Sequence, residues 1–244
     1  MRCLIAGAIA SVVLWTAGCG TNSPTTAVSE TTTSEGRTSE APAGSTAAEE
    51  GNVLVRFMNA DPDGTGMDIV VAGEPVFSNV AYKATAPYKE MPKVLGELQF
   101  ELREAGGTEI LGTNRRSLLL GRHYTLVSLP TDNHMARLAL TMDNLFQVEP
   151  GRARVRLINA TPDVEDLDLY IAGTESVIQH GVDASVVTSF TDVDEGTLEI
   201  RPADRPAPPQ LSNLTVEAGR LYTFVVVGTS GGLDLVRIED RIEP

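Results

Sequence analysis

The stretch VLVRFMNADPDGTGMDIVVAG at residues 53–73 recurs without a gap as ARVRLINATPDVEDLDLYIAG at residues 153–173. Both stretches have a strand-like start, an Asn-Ala-x-Pro-Asp step and a second apolar run that ends in Ala-Gly. Further along the chain, GRHYT at residues 121–125 recurs as GRLYT at residues 219–223. Self-similarity that keeps its order along the chain is the sign of a repeated structural unit. The sequence therefore predicts two tandem copies of one domain.

The two copies, predicted at residues 53–149 and 150–244, have the pattern of β structure. Apolar and polar residues alternate at residues 98–103 and 198–201, which places one face of each strand in a core and the other in water. Short runs of this kind divided by Gly, Pro, Asp and Asn are typical of sandwiches with about seven strands in about 100 residues. We therefore expect an all-β chain with two tandem Greek-key, immunoglobulin-like β-sandwiches.

A recurring tyrosine supports this fold class. Gly121 and Tyr124 in the first copy, and Gly219 and Tyr222 in the second, have the Gly-x-x-Tyr spacing of a tyrosine corner. In that motif the ring packs at the start of a strand and the hydroxyl bonds back to the chain. We expect structural roles for Tyr124 and Tyr222.

Two asparagines are also expected to be structural. Asn59 and Asn159 share the inward face of the first strand of their copies and stand at its end. An inward asparagine at such a position usually bonds the backbone of the adjoining loop. Contact with a ligand is the alternative role.

Acidic residues crowd the loop between the first two strands of each copy. Several carboxylates on one loop offer oxygen ligands to a hard cation such as calcium. The first loop fails as an EF-hand, because the twelfth position counted from Asp61 is Ala72 rather than a bidentate Glu. In the other interpretation, which the Pro-Asp steps favour, the acids after Pro shape turns and those that begin a strand lie in water. The candidate ligands are Asp61, Asp63, Asp68, Asp163, Asp166 and Asp168.

Motifs for catalysis are weak. Residues 228–232, GTSGG, fit the G-x-S-x-G pattern, but a nucleophile elbow needs a following helix and a later histidine, and no histidine follows Ser230. His123, His134 and His180 lack ligand spacing, so we expect surface or edge-strand positions for them. The sequence predicts a protein that is not an enzyme and has no resident cofactor, with calcium as the one candidate.

The charge of the chain excludes one class of partner. It has 33 Asp and Glu against 19 Lys and Arg, a formal net charge of -14. Such a chain repels the phosphate backbone of nucleic acid rather than gathering it. We therefore expect no nucleic-acid partner.

The N-terminal region has the pattern of an export signal followed by a flexible tether. An apolar run at residues 4–15 has the length of a signal-peptide core and is too short for a spanning helix. The run leads into TAGC at residues 16–19, which resembles the lipobox of a bacterial lipoprotein. That resemblance implies removal of residues 1–18, acylation of Cys19 and a place in the cell envelope, facing the periplasm or on the cell surface. The alternative is an ordinary cleaved signal in which Cys19 is incidental. Residues 19–52, rich in Ser, Thr and Glu, predict a disordered tether.

The repeated motifs together resemble a known family. Val-Arg-Phe/Leu, Asn-Ala-x-Pro-Asp, Asp-Ile/Leu and Ala-Gly are similar to the bacterial domain of unknown function 4397, over about residues 53–240. The resemblance implies a secreted or lipid-anchored protein with no established activity. We therefore expect a non-enzymatic envelope lipoprotein that serves as a surface binding module or spacer, with an unknown protein or glycan ligand and the membrane contacted through its lipid. The alternative is a calcium-stabilised adhesion or carbohydrate-binding sandwich.

Overall fold

The computed structural model describes residues 51–62, 66–92, 96–131, 136–203 and 206–241. The signal segment, Cys19, residues 19–50 of the tether, Asp63 and His134 lie outside these ranges. Within them the chain is all-β, as predicted, with one short 3-10 turn at Pro209–Leu211. The strands are β1 Leu54–Asn59, β2 Met67–Val71, β3 Glu74–Val80, β4 Thr85–Glu90, β5 Glu97–Glu104, β6 Gly112–Ser117, β7 His123–Pro130, β8 Ala136–Asp143, β9 Arg152–Asn159, β10 Leu167–Ile171, β11 Val177–Val182, β12 Val186–Val187, β13 Thr191–Asp194, β14 Gly196–Pro202, β15 Leu214–Val216, β16 Arg220–Thr229 and β17 Gly232–Arg241.

The first copy forms a two-layer sandwich. Its sheets have the strand orders β4-β1-β7-β8 and β3-β2-β5-β6. Strands β1 and β7 are parallel, whereas β1 and β4, like β7 and β8, are antiparallel. Alternate side chains from the facing sheets fill one hydrophobic core, whose fully buried members include Phe57, Ile69, Phe100 and Leu126.

The second copy repeats this arrangement. Its sheets have the orders β12-β9-β16-β17 and β11-β10-β14-β15, and β9 and β16 are parallel. Strands β12 and β13 both pair with β9 and together take the place that β4 has in the first copy. A separate core lies between these sheets and includes Leu157, Leu169, Ile200 and Phe224.

The strand order adds a detail that the sequence pattern did not contain. Constant immunoglobulin domains have sheets ordered ABED and CFG. In each copy here the first strand instead lies parallel to the first strand of the final hairpin. An alternation of period two specifies which face of a strand is buried, but it does not specify the neighbouring strand.

The two sandwiches pack against each other, face to face, through the sheets that contain β1 and β9. Apolar side chains from the outer faces of these sheets form a third buried cluster. Both sheets are therefore covered on both sides. The fully buried apolar side chains of this interface are Met58, Ala60, Val127, Leu129, Ile158, Val225 and Val227.

Two ion pairs cross the same interface, one fully buried and one partly buried. Arg156 donates from Nη2 to Asp143 at 2.6 Å, and Arg56 donates from Nη1 and Nη2 to Asp240 at 3.0 and 2.7 Å. Each arginine thus pairs with an aspartate of the other copy. The aspartates hold equivalent places, since each lies opposite the residue that precedes the corner tyrosine. The exchange is reciprocal, as in a twofold-symmetric interface.

Asp143 is the centre of this network. Its side chain is fully buried and accepts hydrogen bonds from Thr125 Oγ1 at 2.6 Å and from Tyr88 Oη at 2.7 Å, besides the bond from Arg156. Burial, followed by the charge of Asp143, raises the pKa of Tyr88 well above its ordinary range, so its hydroxyl stays protonated and donates. The network gives every oxygen of a buried carboxylate a partner, as burial of charge requires.

Candidate functional site

The two buried asparagines fasten loops to strands. Asn59 Oδ1 accepts hydrogen bonds from Asp61 N at 3.0 Å and Ser128 Oγ at 2.8 Å, and its Nδ2 donates to Val80 O at 2.9 Å. Asn159 likewise bonds the backbone of its own loop and of β11. With no exposed surface, neither side chain is in a position to touch a ligand.

The corner tyrosines close the loop before the final hairpin of each copy. The hydroxyl oxygen of Tyr124 accepts a hydrogen bond from Leu119 N at 3.0 Å, and that of Tyr222 accepts one from Glu217 N at 3.0 Å. The glycine of each motif has a positive φ, 69° in the first copy and 75° in the second, which glycine adopts without strain. Both copies therefore have the geometry that the Gly-x-x-Tyr spacing predicts.

We expect Tyr222→Phe to lower the free energy of unfolding by about 1 kcal/mol, because it removes one hydrogen bond and keeps the packed ring. Urea denaturation measures the change. Tyr124→Phe, at the equivalent position, serves as the matched variant and is expected to lose a similar amount. Unchanged stability in both variants would contradict the role of the two hydroxyls.

Asp163, the acid after Pro in the second copy, is hydrogen-bonded to the turn of the final hairpin. Both carboxylate oxygens of Asp163 accept from Ser230 N, at 3.0 and 3.1 Å, and Oδ2 also accepts from Ser230 Oγ at 2.7 Å. Ser230 lies in the turn between the paired residues Thr229 and Gly232 of β16 and β17. The G-x-S-x-G segment is therefore a strand, a turn and a strand, and lacks the helix of a nucleophile elbow.

The acid that begins the second strand of each copy holds the next strand in place. Asp68 accepts hydrogen bonds from Asn79 N at 2.7 Å and Gly106 N at 3.0 Å. Asp168 accepts one from Gly181 N at 2.7 Å, and its side chain is only 7% exposed. The expectation that the Asp168 side chain lies in water is therefore wrong, because its carboxylate is hydrogen-bonded to neighbours on β10 and β11.

The loop acids do not assemble a cation site in the described part of the chain. Asp61 is buried, Asp166 is exposed at a positive φ of 53°, and Asp63 lies outside the described residues. Over the described ranges, no three His, Cys, Asp or Glu side chains converge as metal ligands. The turn and strand interpretation of these acids thus has support that the calcium interpretation lacks.

We expect the melting temperature to be the same in a chelator as in calcium. A site that binds only the folded state adds about 2.7 kcal/mol when the ligand is at about 100 times its dissociation constant, which is a shift of several degrees. Differential scanning calorimetry with EDTA or with millimolar calcium makes the comparison. A calcium-dependent rise that Asp163→Ala abolishes would restore the cation site.

The outer face of the second sandwich carries a groove of about 790 Å³. Strands β10, β11 and β14 form its floor, and Ala203, Pro206, Ala207 and Ser212 line one side. We call it the His180 groove. Its polar side chains are Asp168, Tyr170, Glu175, His180, Glu199, Arg201 and Ser212.

Asp168 organises the floor of the His180 groove. His180 Nδ1 lies 2.7 Å from Asp168 Oδ1, and Tyr170 Oη donates to Asp168 Oδ2 at 3.1 Å. An ionised carboxylate only accepts, so Nδ1 of His180 holds the hydrogen and Nε2 is directed to solvent. The His180 side chain is 80% exposed. The groove thus presents an imidazole that is fixed at one nitrogen and open at the other.

Arg201 forms the other half of the floor. Its guanidinium carbon lies 4.1 Å from the centre of the Tyr170 ring, and its Nε donates to Glu199 at 2.7 Å. Burial, followed by the bond to Asp168, raises the pKa of Tyr170 above its ordinary value, so the phenol remains a donor. The guanidinium and the phenol hold each other in place.

The side chains that distinguish the groove occur in the second copy alone. Tyr170 stands where the first copy has Val70, and His180 stands where strand register places Ser78. In the first copy the second oxygen of the strand-start acid accepts a backbone amide instead of a tyrosine hydroxyl. The shared scaffold is kept, and the added side chains meet on one surface.

The adjoining loop also differs between the copies. Residues 203–213 join β14 to β15, whereas the shorter segment 105–111 joins β5 to β6. Pro206 and Ala207 of the longer loop line the groove. The sequence signal for this site is therefore a difference between the copies rather than their likeness.

The fold defines a class, that of proteins with two tandem β-sandwiches. A family model described as a domain of unknown function, DUF4397, matches residues 53–170 and 153–244, so the chain belongs to this family. A search among curated proteins found no match.

Two solved structures show weak likeness. The Bacillus anthracis TIE protein is 10% identical with a TM-score of 0.24, and the match covers 74% of this chain and 34% of that one. A protein proposed to act in cell adhesion, from Bacteroides uniformis ATCC 8492, is 8% identical with a TM-score of 0.22, with 80% and 100% covered. Likeness at this level supports no inference about function. In the described residues no helix is long and apolar enough to cross a membrane.

Proposed function

We propose that the protein is a non-enzymatic module of the bacterial cell surface that binds a glycan through the His180 groove. The observation that carries this proposal is the meeting of Tyr170, His180 and the longer loop on one face of the second copy only. Features shared by both copies are explained by folding, as with the asparagines and the corner tyrosines. Folding does not require the features that one copy adds to the common scaffold, so these are the candidates for a functional role.

The polar chemistry of the groove suits a saccharide. Sugar hydroxyls both donate and accept, and the groove sets the carboxylates of Glu175 and Glu199 beside the guanidinium of Arg201 and the open nitrogen of His180. Its volume of about 790 Å³ is in the range of small-molecule sites. The groove therefore offers acceptors and donors on one open surface.

Binding without turnover is favoured by the pairing of the groove's acids. Glycosidases need one carboxyl group kept protonated in an apolar pocket and a second one across the scissile bond. Here Glu175 and Glu199 are both paired with Arg201, and Asp168 is paired with His180. These acids orient neighbouring groups and lack the environment of a catalytic acid.

A glycan array of bacterial envelope saccharides tests the proposal. The purified chain is expected to bind a subset of the array without releasing product. Tyr170→Val with His180→Ser, which installs the residues of the first copy, is expected to weaken binding about tenfold or more, equal to about 1.4 kcal/mol or more. The mirror change, Val70→Tyr with Ser78→His, is the matched control and keeps binding.

Three results would overturn this function. One is an array without a bound saccharide, and the second is a groove variant that binds as well as the unaltered chain. The third is the appearance of a cleaved or transferred product, which would make the protein an enzyme.

The proposal includes an N-terminal lipid anchor at Cys19, which lies outside the described residues. A chain with a net charge of -14 is repelled by anionic headgroups, so electrostatic attraction cannot hold it at the membrane. Acyl chains contribute about 0.8 kcal/mol for each buried methylene, independent of protein charge.

We expect Cys19→Ser to move the protein from the membrane fraction to the soluble fraction. The thiol is the acceptor of the lipid, so its loss removes the anchor while leaving the sandwiches unchanged. Detergent phase partitioning of the exported protein measures the shift, with Cys3→Ser as the matched control. A Cys19→Ser protein that stays in the detergent phase would contradict the anchor.

A further inference from the structure

A second groove lies between the two sandwiches, away from the His180 groove. It has a volume of about 570 Å³ and is lined by residues 137–142 of β8 and by residues 186–190 of the second copy. We call it the inter-sandwich groove. Since each wall comes from a different copy, the groove exists only where the two copies are packed together.

One wall is a sheet edge that is open along part of its length, since Ala136 N at its start donates to Leu111 O at 3.2 Å. Strand β8 ends the order β4-β1-β7-β8, so its outer side has no neighbouring strand in that sheet. Leu138 O accepts from Asn114 Nδ2 at 2.9 Å, and Met142 O accepts from Arg156 Nη1 at 3.5 Å, so both carbonyls point away from β7. In an antiparallel pair alternate residues share this direction. The N–H and C=O of Leu140 therefore face the groove, as on an edge that accepts an added strand.

The charge of the groove is opposite to that of the protein. Arg116 and Arg137 line it, and no Asp or Glu occurs among the described residues of its wall. Both arginines are exposed, in a chain with a net charge of -14. A basic strip on an acidic protein favours an acidic occupant, since electrostatic complementarity selects partners.

Apolar side chains supply the other half of the recognition. Met142 is 41% exposed at one end of the groove. Phe190 is held on the opposite wall by the guanidinium of Arg156, 4.3 Å from its ring centre. An added strand points alternate side chains to opposite sides. Leu138 faces the first core, so Arg137 points to the opposite side of β8, whereas Arg116 lies opposite Leu98 and shares the core-facing side. An added strand therefore meets Arg116 and Met142 on one side and Arg137 and Phe190 on the other, and needs acidic and apolar side chains on both.

We propose that the inter-sandwich groove binds an extended acidic peptide segment of a partner protein as an added strand along β8. Backbone hydrogen bonds to the edge supply affinity, and the two arginines select acidic side chains. A polyanionic glycan would satisfy the arginines but would leave the backbone groups of Leu140 without strand-like partners.

Fluorescence anisotropy tests the proposal with a short labelled peptide of Val-Val-Glu-Glu repeats, which has Val and Glu on both sides of an extended strand, added to the full chain. The peptide is expected to bind, and Arg116→Glu with Arg137→Glu is expected to weaken binding about tenfold or more. Arg115→Glu with Arg241→Glu makes the same charge change at exposed positions outside the groove and is the matched control. The same peptide N-methylated at alternate residues keeps its charge but cannot donate to the edge, and is expected to lose binding.

Several outcomes would overturn the proposal. These are failure of the Val-Glu peptide to bind, equal loss in the control variant, and equal binding of the N-methylated peptide or of a sulfated oligosaccharide. The Tyr170→Val, His180→Ser chain is expected to bind the peptide as the unaltered chain does. Failure of the glycan site and failure of the peptide site are therefore separate results.

Discussion

Asp143→Ala is expected to lower the free energy of unfolding by about 3–5 kcal/mol, the usual cost of removing one partner from a buried ion pair. Asp143 is fully buried and accepts from Arg156, Thr125 and Tyr88. Burial lowers the pKa of Arg156, and the charge of Asp143 is the largest influence that opposes it. Without Asp143 the guanidinium is left buried and uncompensated. Guanidinium chloride denaturation measures the loss.

Asp240→Ala is the matched control for this change. Asp240 holds the equivalent place in the second copy, but its side chain is 15% exposed and water can replace it. We therefore expect a smaller loss. The combined replacement Asp143→Leu with Arg156→Met removes both charges and is expected to recover much of the stability. Equal losses for the two aspartates would contradict a network centred on Asp143.

Asn159→Ala is expected to have the second large effect, a loss of about 2–4 kcal/mol, since buried groups left without partners cost about 1–3 kcal/mol each. Its Nδ2 donates to Val164 O at 2.7 Å and Val182 O at 2.9 Å, and its Oδ1 accepts from Thr161 N and Oγ1. Alanine leaves these groups in a site without exposed surface. Urea denaturation is the measurement.

The control for this prediction is Asn52→Ala, at an exposed position, where a change within about 0.5 kcal/mol is expected. Saccharide binding by Asn159→Ala, measured below its melting temperature, is expected to equal that of the unaltered chain. A variant that keeps its stability but loses saccharide binding would show that Asn159 acts in ligand binding rather than in folding.

Much of the fold follows from local patterns in the sequence. Alternation at residues 98–103 predicts a strand with one buried face, and β5 spans Glu97–Glu104 with that pattern. The Gly-x-x-Tyr spacing predicts a hydroxyl bond to the preceding loop, which is present in both copies. Local patterns of this kind predict short-range structure well, because each position there is constrained by its immediate neighbours in the chain.

The packing of the sandwiches on each other was harder to predict. Arg56 and Arg156 alternate with core residues, so a period-two pattern places them on the solvent face. They are buried because that face is covered by the other copy. One sequence signal was available, the unbroken apolar run at residues 224–227, which is typical of a strand buried on both faces.

The His180 groove depends on register that the sequence does not specify. Irregular pairing between β10 and β11 sets His180 beside Asp168, and the pairing of β10 with β14 sets Arg201 beside the same residue. Bulges shift which residues face each other and leave no strong composition signal. Asp168 was predicted as a candidate cation ligand and His180 as a surface or edge-strand histidine, and their convergence with Tyr170 and Arg201 required the structure.

The stoichiometry of saccharide binding tests most directly that the second copy carries the site. Isothermal titration of the full chain with a saccharide selected by the array gives the number of sites. One site per chain is predicted, because the first copy has Val70 and Ser78 where the second has Tyr170 and His180. Two equivalent sites per chain would show that the shared scaffold binds the ligand, and would contradict the assignment to the His180 groove.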